Sequence, residues 1–349
     1  MQPTLQNLRS QCVARSSQTL QPAQTPHARP ISPTNIPLAN TTQKSTMQRA
    51  GYLQRCQAES STSGSNTSAP AATTSSTSTP SAALIYTSYE GNSWRAEFAS
   101  TGLKVLVDPW LVGNLAFGGL ESIYCGTKRI ARPETIDIDQ LAAETDFILL
   151  TMSIDDHAHR PTLQRLPKSI PVVGSPSAAA VARNLGYTTV YEVDHGQEVV
   201  ISDGKLKIRA TQGALVGPPG SKRENGFVLS EISTTGISLY YEPHADYVAS
   251  SVAEVGSVDI VVSPPSTQSL LGYQLVKGAT DNVPLLKMLR PKVVVPLMNA
   301  EFDATGPLHA LLSETGGVEL LERQLKETPE LKNVKICLPV AGTPMAVEI

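Results

Sequence analysis

The sequence predicts a four-layer α/β/β/α sandwich over residues 83–349, and three observations carry that expectation. Two β-rich halves alternate with helices. Several strand ends carry acidic and imidazole side chains, which is where α/β proteins usually keep their chemistry. No glycine fingerprint joins a strand to a helix, so a doubly wound dinucleotide-binding sheet does not fit.

The start of the chain has another character. Residues 1–58 contain no Asp or Glu, and carry Arg9, Arg15, Arg29, Lys44, Arg49 and Arg55 among many Ser, Thr and Gln. Basic, hydroxylated and acid-free is the composition of an organelle transit peptide, and also that of a plain disordered tail. Ser and Thr dominate and no Arg-rich amphipathic helix is evident, which favours the chloroplast over the mitochondrion. No apolar run is long enough for a secretory signal or a membrane span. Residues 59–82 are nearly all Ser, Thr, Ala, Pro and Gly. They are too polar to offset the entropy of ordering and are expected to form a disordered linker.

Without residues 1–58, 22 basic residues face 31 acidic ones, a formal net charge of −9. An acidic body argues against nucleic acid as the main partner and leaves a small-molecule substrate, unidentified by the sequence. Cys125 and Cys337 stand far apart in no metal-type spacing and read as free thiols.

The elements follow in order. Residues 84–89, 94–98 and 104–107 alternate as strands around tight turns, a meander. Residues 136–143 form a short helix before an apolar strand at 147–150. Pro161 opens a helix to residue 166, and residues 171–173 are a strand. Ser175 caps a helix with Pro176 at its first position, an Ala-rich run to Leu185 and Gly186 as its stop. Strands follow at 189–193, 198–201, 206–211, 227–231, 237–241 and 259–263, with Ser202-Asp203-Gly204 as a hairpin turn. A helix at 281–289 precedes a strand at 293–295. Residues 306–326 supply one or two helices, and 334–338 and 345–347 close the sheets.

The most polar strand end is Thr151-Met152-Ser153-Ile154-Asp155-Asp156-His157-Ala158-His159, directly after the apolar strand. A second is Glu242-Pro243-His244-Ala245-Asp246. Asp155 and Asp156 also suit the capping of the following helix, and His157 and His159 also suit hydrogen-bonded roles in a pocket without chemistry. Lys222-Arg223-Glu224 either flanks a pocket mouth, where it would meet an anionic substrate, or is a solvated loop.

Four landmarks, in order over residues 84–347, resemble the metallo-β-lactamase superfamily, in particular its lactonase-like branch. They are the meander ending in Val107-Asp108-Pro109-Trp110-Leu111, the 152–157 turn placed like the family's HxHxDH, the strand running through 237–247, and Val293 to Met298 at the last Pro-x-His position. The resemblance implies an αββα metallo-β-lactamase sandwich and a metal-dependent hydrolase. It also implies that one of two metal sites is missing. Met152 and Ile154 stand where the family has His, residues 212–220 contain no His, and Met298 replaces the last one. Neither a thioether nor an aliphatic chain replaces imidazole for zinc.

Asp156 and His157 match the last two positions of the motif, and His244 falls where the bridging Asp would sit. The expected metal ligands are therefore Asp156, His157 and His244, holding one divalent ion: zinc first, with iron or manganese as alternatives. Asp155, His159 and Glu242 are the candidates for catalytic base or for orienting the ligands. The alternative is a non-catalytic pseudoenzyme serving as a plastid binding or assembly module, motivated by Met152 and Ile154. A non-haem iron oxidoreductase is a third reading.

Overall fold

The structure, a computed structural model, describes residues 82–217 and 220–349. The expected presequence of residues 1–58 lies outside the described residues, as does the expected linker up to residue 81. In chain order the first half supplies β1 (Leu84–Ser88), β2 (Trp94–Phe98), β3 (Lys104–Val107), β4 (Cys125–Thr127), β5 (Phe147–Leu150), β6 (Val172–Gly174) and β7 (Val190–Glu192). The second half supplies β8 (Glu198–Ile201), β9 (Leu206–Gln212), β10 (Asn225–Glu231), β11 (Ser238–Tyr241), β12 (Ile260–Ser263), β13 (Ser266–Leu270) and β14 (Tyr273–Lys277). It continues with β15 (Val293–Pro296), β16 (Asp303–Thr305), β17 (Leu312–Gly316), β18 (Lys335–Ile336) and β19 (Met345–Val347).

Two sheets of seven strands result. One has the order β19-β1-β2-β3-β5-β6-β7 and the other β18-β15-β12-β11-β10-β9-β8. In each, an antiparallel flank gives way to a parallel run: β3-β5-β6-β7 in the first and β11-β12-β15-β18 in the second. Parallel strands need both faces covered, and the central ones accordingly read as apolar runs, FILL in β5 and VVVP in β15, buried at every position.

The period of two decides which layer each side chain enters. Val105 and Val107 of β3, and Phe147 and Leu149 of β5, point between the sheets. There they join Phe227, Leu239, Ile260, Val262, Val293 and Val295 of the other sheet. Leu106, Ile148 and Leu150 point the other way, onto a helical layer carrying Leu141, Leu163 and Ala178. Tyr240, Val261 and Val294 do the same on the second sheet, under Leu285, Leu286, Leu289, Leu321 and Leu325. The order helix, sheet, sheet, helix is thus the expected four-layer sandwich. Each fully buried Val, Leu or Phe contributes roughly 1.5–3 kcal/mol, so a one-residue register slip in β5 would forfeit several such terms at once.

The helices start where the sequence marks them. Ser175 accepts from the Ala178 amide at the head of Pro176–Asn184, and Asp137 does the same for Gln140 at the head of Ile138–Ala143. Residues 306–326 differ from the expectation of helices alone. They hold a 3-10 turn at His309–Leu311 and strand β17 before the helix Val318–Glu327. Strand β17 pairs with β13, which pairs with β14, in a small sheet built from largely polar stretches that carry no strand signal in the sequence. A two-stranded β4–β16 ribbon is likewise new. Gly126 of β4 permits the close approach of Phe302, since a Cβ there would lie 2.9 Å from that ring. Among the described residues, no helix is long and apolar enough to cross a membrane. Cys125 and Cys337 are free thiols.

Candidate active site

The ends of β3, β5 and β11, with the β1–β2 turn, converge on one buried polar cluster. Its centre is Asp108, immediately after β3, with its side chain fully buried. Its φ of 40° is left-handed, a conformation that a non-glycine residue keeps only under strong local constraint. Four donors supply that constraint. The Thr151 amide (2.8 Å) and hydroxyl (2.7 Å), the His157 Nδ1–H (2.8 Å) and the Tyr241 hydroxyl (3.0 Å) all reach the carboxylate. They replace the water that burial removes. Burial pushes the Tyr241 phenol far above its ordinary value, with the Asp108 charge adding to the shift, so Tyr241 serves as a donor only.

Because an ionised carboxylate only accepts, Nδ1 of His157 carries a proton. Nε2 therefore faces the site, 3.0 Å from the Asn92 amide nitrogen and 3.4 Å from Asp156 Oδ2. Burial alone would lower the pKa of His157. The flanking Asp156 and Asp108 carboxylates outweigh burial and push it up to about 10. Burial acts to raise Asp156, and the charge and hydrogen bond of the adjacent His157 overcome it and hold that carboxyl below its usual range.

The second sheet contributes a parallel pair. Glu242, fully buried after β11, accepts from the amides of His244 (3.1 Å) and Asp246 (2.8 Å) through Oε2. These bonds close the 242–246 turn, in which Ala245 is left-handed at φ 50°. Gly226 of β10 makes room for this carboxylate, since a Cβ there would meet Glu242 Cγ at 3.1 Å and the Tyr240 hydroxyl at 2.9 Å. The other oxygen, Oε1, has no hydrogen bond and lies 3.8 Å from His244 Nδ1, which has none either. The His244 ring stands 5.2 Å from that of His157, centroid to centroid, inclined by 35°. Asp246 anchors the turn by accepting from the Leu215 amide, Lys277 and Arg223.

Asp156, His157 and His244 are thus brought together, as the resemblance implies. Asp156 Oδ1, His244 Nδ1, Glu242 Oε1 and Asn92 Oδ1 are all buried without a partner, a concentration of unsatisfied polar atoms that few native interiors carry without a ligand. Two imidazoles and a carboxylate, each imidazole with a carboxylate behind it, form a donor set that fits a divalent ion chemically. Among the described residues, no three His, Cys, Asp or Glu side chains already stand at metal spacing. Loading would therefore require side-chain adjustment, including withdrawal of the Asn92 amide from Nε2.

Two of the expected catalytic residues are committed elsewhere. Asp155 pairs with Arg160 at 2.5 Å and accepts from the Gly118 amide at 2.7 Å. His159 caps the helix Arg160–Arg165: Nδ1 accepts from Thr162, and Nε2 lies 3.2 Å from the Asn114 carbonyl. Both are bonded into the loop framework, away from Asp156 and His244. Glu242 lies behind His244, with Oε1 3.8 Å from Nδ1 and no hydrogen bond between them. Lys222, Arg223 and Glu224 are bound to Asp194, Asp246 and the Ser175–Ser177 hydroxyls, so they form part of the fold and not a pocket mouth. His195 is likewise occupied by the Glu224 carbonyl.

Asn92, Thr151 and Tyr241 join the site only through the fold, and the resemblance points to Asp108. The one local signal was that polar Asp108 directly follows an apolar strand. In front of the cluster lies a cavity of about 330 Å³, bordered by Asn92, Asp156 and His244. Ile154 lines it, while Met152 is fully buried.

A model of the β-lactamase superfamily domain matches residues 86–298. A UPF0173 protein of Pyrococcus furiosus is 25% identical over 186 residues, spanning 52% of this chain and 80% of its own. An isothiocyanate hydrolase from Delia radicum gut bacteria shares the fold with a TM-score of 0.54 at 22% identity, over 76% of this chain and 99% of its own. A possible metal-dependent hydrolase from Veillonella parvula does so with a TM-score of 0.53 at 14% identity, over 77% and 100%. With its four layers, its landmarks in order and more than half its length matched, the chain belongs to the metallo-β-lactamase superfamily.

Proposed function

We propose that the chain is a metal-dependent hydrolase of the chloroplast with a single divalent ion held by Asp156, His157 and His244. The observation that carries this reading is that Asn92, Asp156 and His244, which line one cavity, each carry an unpartnered buried polar atom, with a fourth on Glu242 behind His244. A bound ion would lower the pKa of a water and polarise an acyl oxygen. The residues of the chain do the rest. Asp108 fixes the tautomer and plane of His157, and Glu242 stands ready to do the same for His244. Asn92 presents an amide between Asp156 and His157, and the cavity excludes bulk water from the reacting group. The plastid assignment rests on the acid-free composition of residues 1–58.

A purely structural role fits less well. Replacing buried ionic groups by apolar ones of similar volume is commonly neutral or stabilising, so a site with no chemistry has no reason to retain four partnerless polar atoms. Metal analysis of the purified full chain tests the reading. About one equivalent of zinc, iron or manganese is expected after reconstitution, and much less in His157→Ala/His244→Ala. A content below about a tenth of an equivalent, with no gain on reconstitution, overturns it. A fluorescent fusion to residues 1–58 that stays outside plastids removes the chloroplast part alone.

A further inference from the structure

The cavity in front of Asp156 and His244 has a composition that hydrolysis as such does not demand. At about 330 Å³ it is small, near the lower end of the roughly 300–1,000 Å³ range of ligand pockets. The chain holds only 2 Trp and 5 Phe, yet Trp110, Phe117 and Phe302 all line this one space, together with Tyr124. They form two pairs, Trp110–Phe302 at 5.3 Å and 85°, and Phe117–Tyr124 at 5.0 Å and 47°. Such inclined rings present edges and faces suited to a flat or compact apolar group. Leu275 and Leu312 complete the apolar wall.

The polar part of the lining is equally selective. No Lys or Arg lines the cavity among the described residues. The nearest candidates are occupied: Lys277 and Arg223 hold Asp246, and Lys128 donates to the Tyr89 carbonyl at 2.5 Å. Away from the proposed ion, the wall offers amides. Gln268 donates to Asn299 at 3.0 Å, Asn299 donates to the Pro243 carbonyl at 3.1 Å, and Asn92 Oδ1 is unpartnered. An anionic group seated against this wall would lose its hydration and find no Lys or Arg there, and only the His244 end of the cavity, where the ion would sit, could offset its charge.

We propose that the site takes uncharged small molecules bearing an aryl or compact alkyl group beside an acyl carbon, and rejects phosphorylated or carboxylated ones. The inference rests on the hydrolase reading above for its reaction, and on the cavity wall for its selectivity. In that reaction, the oxygen of water joins the acyl carbon and the bond to the leaving group breaks. One proton of the water passes to the leaving group, with no change of oxidation state.

Tryptophan fluorescence of the full chain reads out the binding. Trp110 lines the cavity and Trp94 is fully buried between the sheets. With no metal added, so that the wall alone is probed, acetophenone is expected to quench saturably and to bind at least about tenfold more tightly than phenyl phosphate. Leu275→Lys, which places a cation in a partly exposed stretch of the wall, is expected to shrink or reverse that ratio. Equal or tighter binding of phenyl phosphate to the unaltered chain overturns the proposal. So does an unchanged ratio in a Leu275→Lys variant with native circular dichroism. If acetophenone binds selectively but phenyl acetate is not hydrolysed with zinc present, the hydrolase reading fails and the selectivity stands.

Discussion

The two imidazoles that face each other across the site are held in opposite ways. His157 belongs to a closed unit in which one buried carboxylate, Asp108, receives four hydrogen bonds from three residues, Thr151, His157 and Tyr241. His244 belongs to an open one. Its carboxylate, Glu242, spends one oxygen on the turn that carries it and leaves the other 3.8 Å from an unpartnered Nδ1. The first sheet therefore contributes a pre-organised half-site, and the second contributes a half-site with unsatisfied bonding capacity. An incoming ligand would gain most from the second half and rely on the first for position. Preorganised groups cost little reorganisation, whereas unsatisfied ones hold back stability until something binds.

The largest test removes the closed unit. Asp108→Ala leaves His157 Nδ1, the Thr151 amide and hydroxyl, and the Tyr241 hydroxyl without their buried acceptor. A loss of about 3–5 kcal/mol in urea unfolding is expected, in the range for breaking a buried charged network. A loss below about 1 kcal/mol would mean that the network is no tighter than an ordinary hydrogen bond, and the contrast between the halves would collapse.

A smaller effect depends on pH. Lys128 donates to the Tyr89 carbonyl, directly before the Glu90-Gly91-Asn92 turn that delivers Asn92 to His157, and its ammonium lies 4.9 Å from the Trp110 ring centre. Burial pushes this ammonium from 10.5 down to about 7, against the opposing pull of Glu90. The Glu90 carboxylate is itself held by the amides of Arg129, Ile130 and Ala131. Between those two values the unfolded chain holds a proton that the native chain lacks, so this group adds stability as pH rises through the window. Below about 7 both states are protonated and it contributes no slope. Comparing the native chain with Lys128→Met at pH 7, 8 and 9 cancels every other titration. The difference is expected to grow by up to about 1.4 kcal/mol per pH unit in favour of the native chain. A flat difference would place Lys128 in water and loosen the support assigned to the closed half.

The closed half was also the harder one to read from sequence. Strands β3, β5, β11, β12 and β15 announce themselves through unbroken apolar runs, and their alternating contacts with two layers follow from the pleat. Strands β13, β14 and β17 do not. STQSL, YQLVK and LSETG are short and largely polar, and such stretches resemble loops or helix ends until their partners are known. At the site, Asp156, His157 and His244 stand out as dense acid and imidazole signals at strand ends. Asp108, Thr151 and Tyr241 act through contacts spanning up to 133 residues, and apart from the apolar strand before Asp108 nothing local marks them. Asp155 and His159 show the converse. Helix caps and reactive turns use the same residue types, and only the bonds to Arg160 and Thr162 distinguish the two.

The finest test concerns the open half, and its value lies in separating stability from binding. Glu242→Gln keeps a carbonyl oxygen for the His244 and Asp246 amides, so the turn and its left-handed Ala245 should persist. It removes the negative charge opposite His244 Nδ1. Because that contact is unmade in the free chain, unfolding should shift by less than about 1 kcal/mol. Zinc affinity should nevertheless fall about 10–100-fold, the usual effect of losing the carboxylate behind a metal-binding imidazole. Competition against a chromophoric zinc chelator measures the second quantity and urea unfolding the first. A stability loss matching that of Asp108→Ala, with zinc affinity unchanged, would show that Glu242 is as structural as Asp108. In that case the two halves would differ only in hydrogen-bond length.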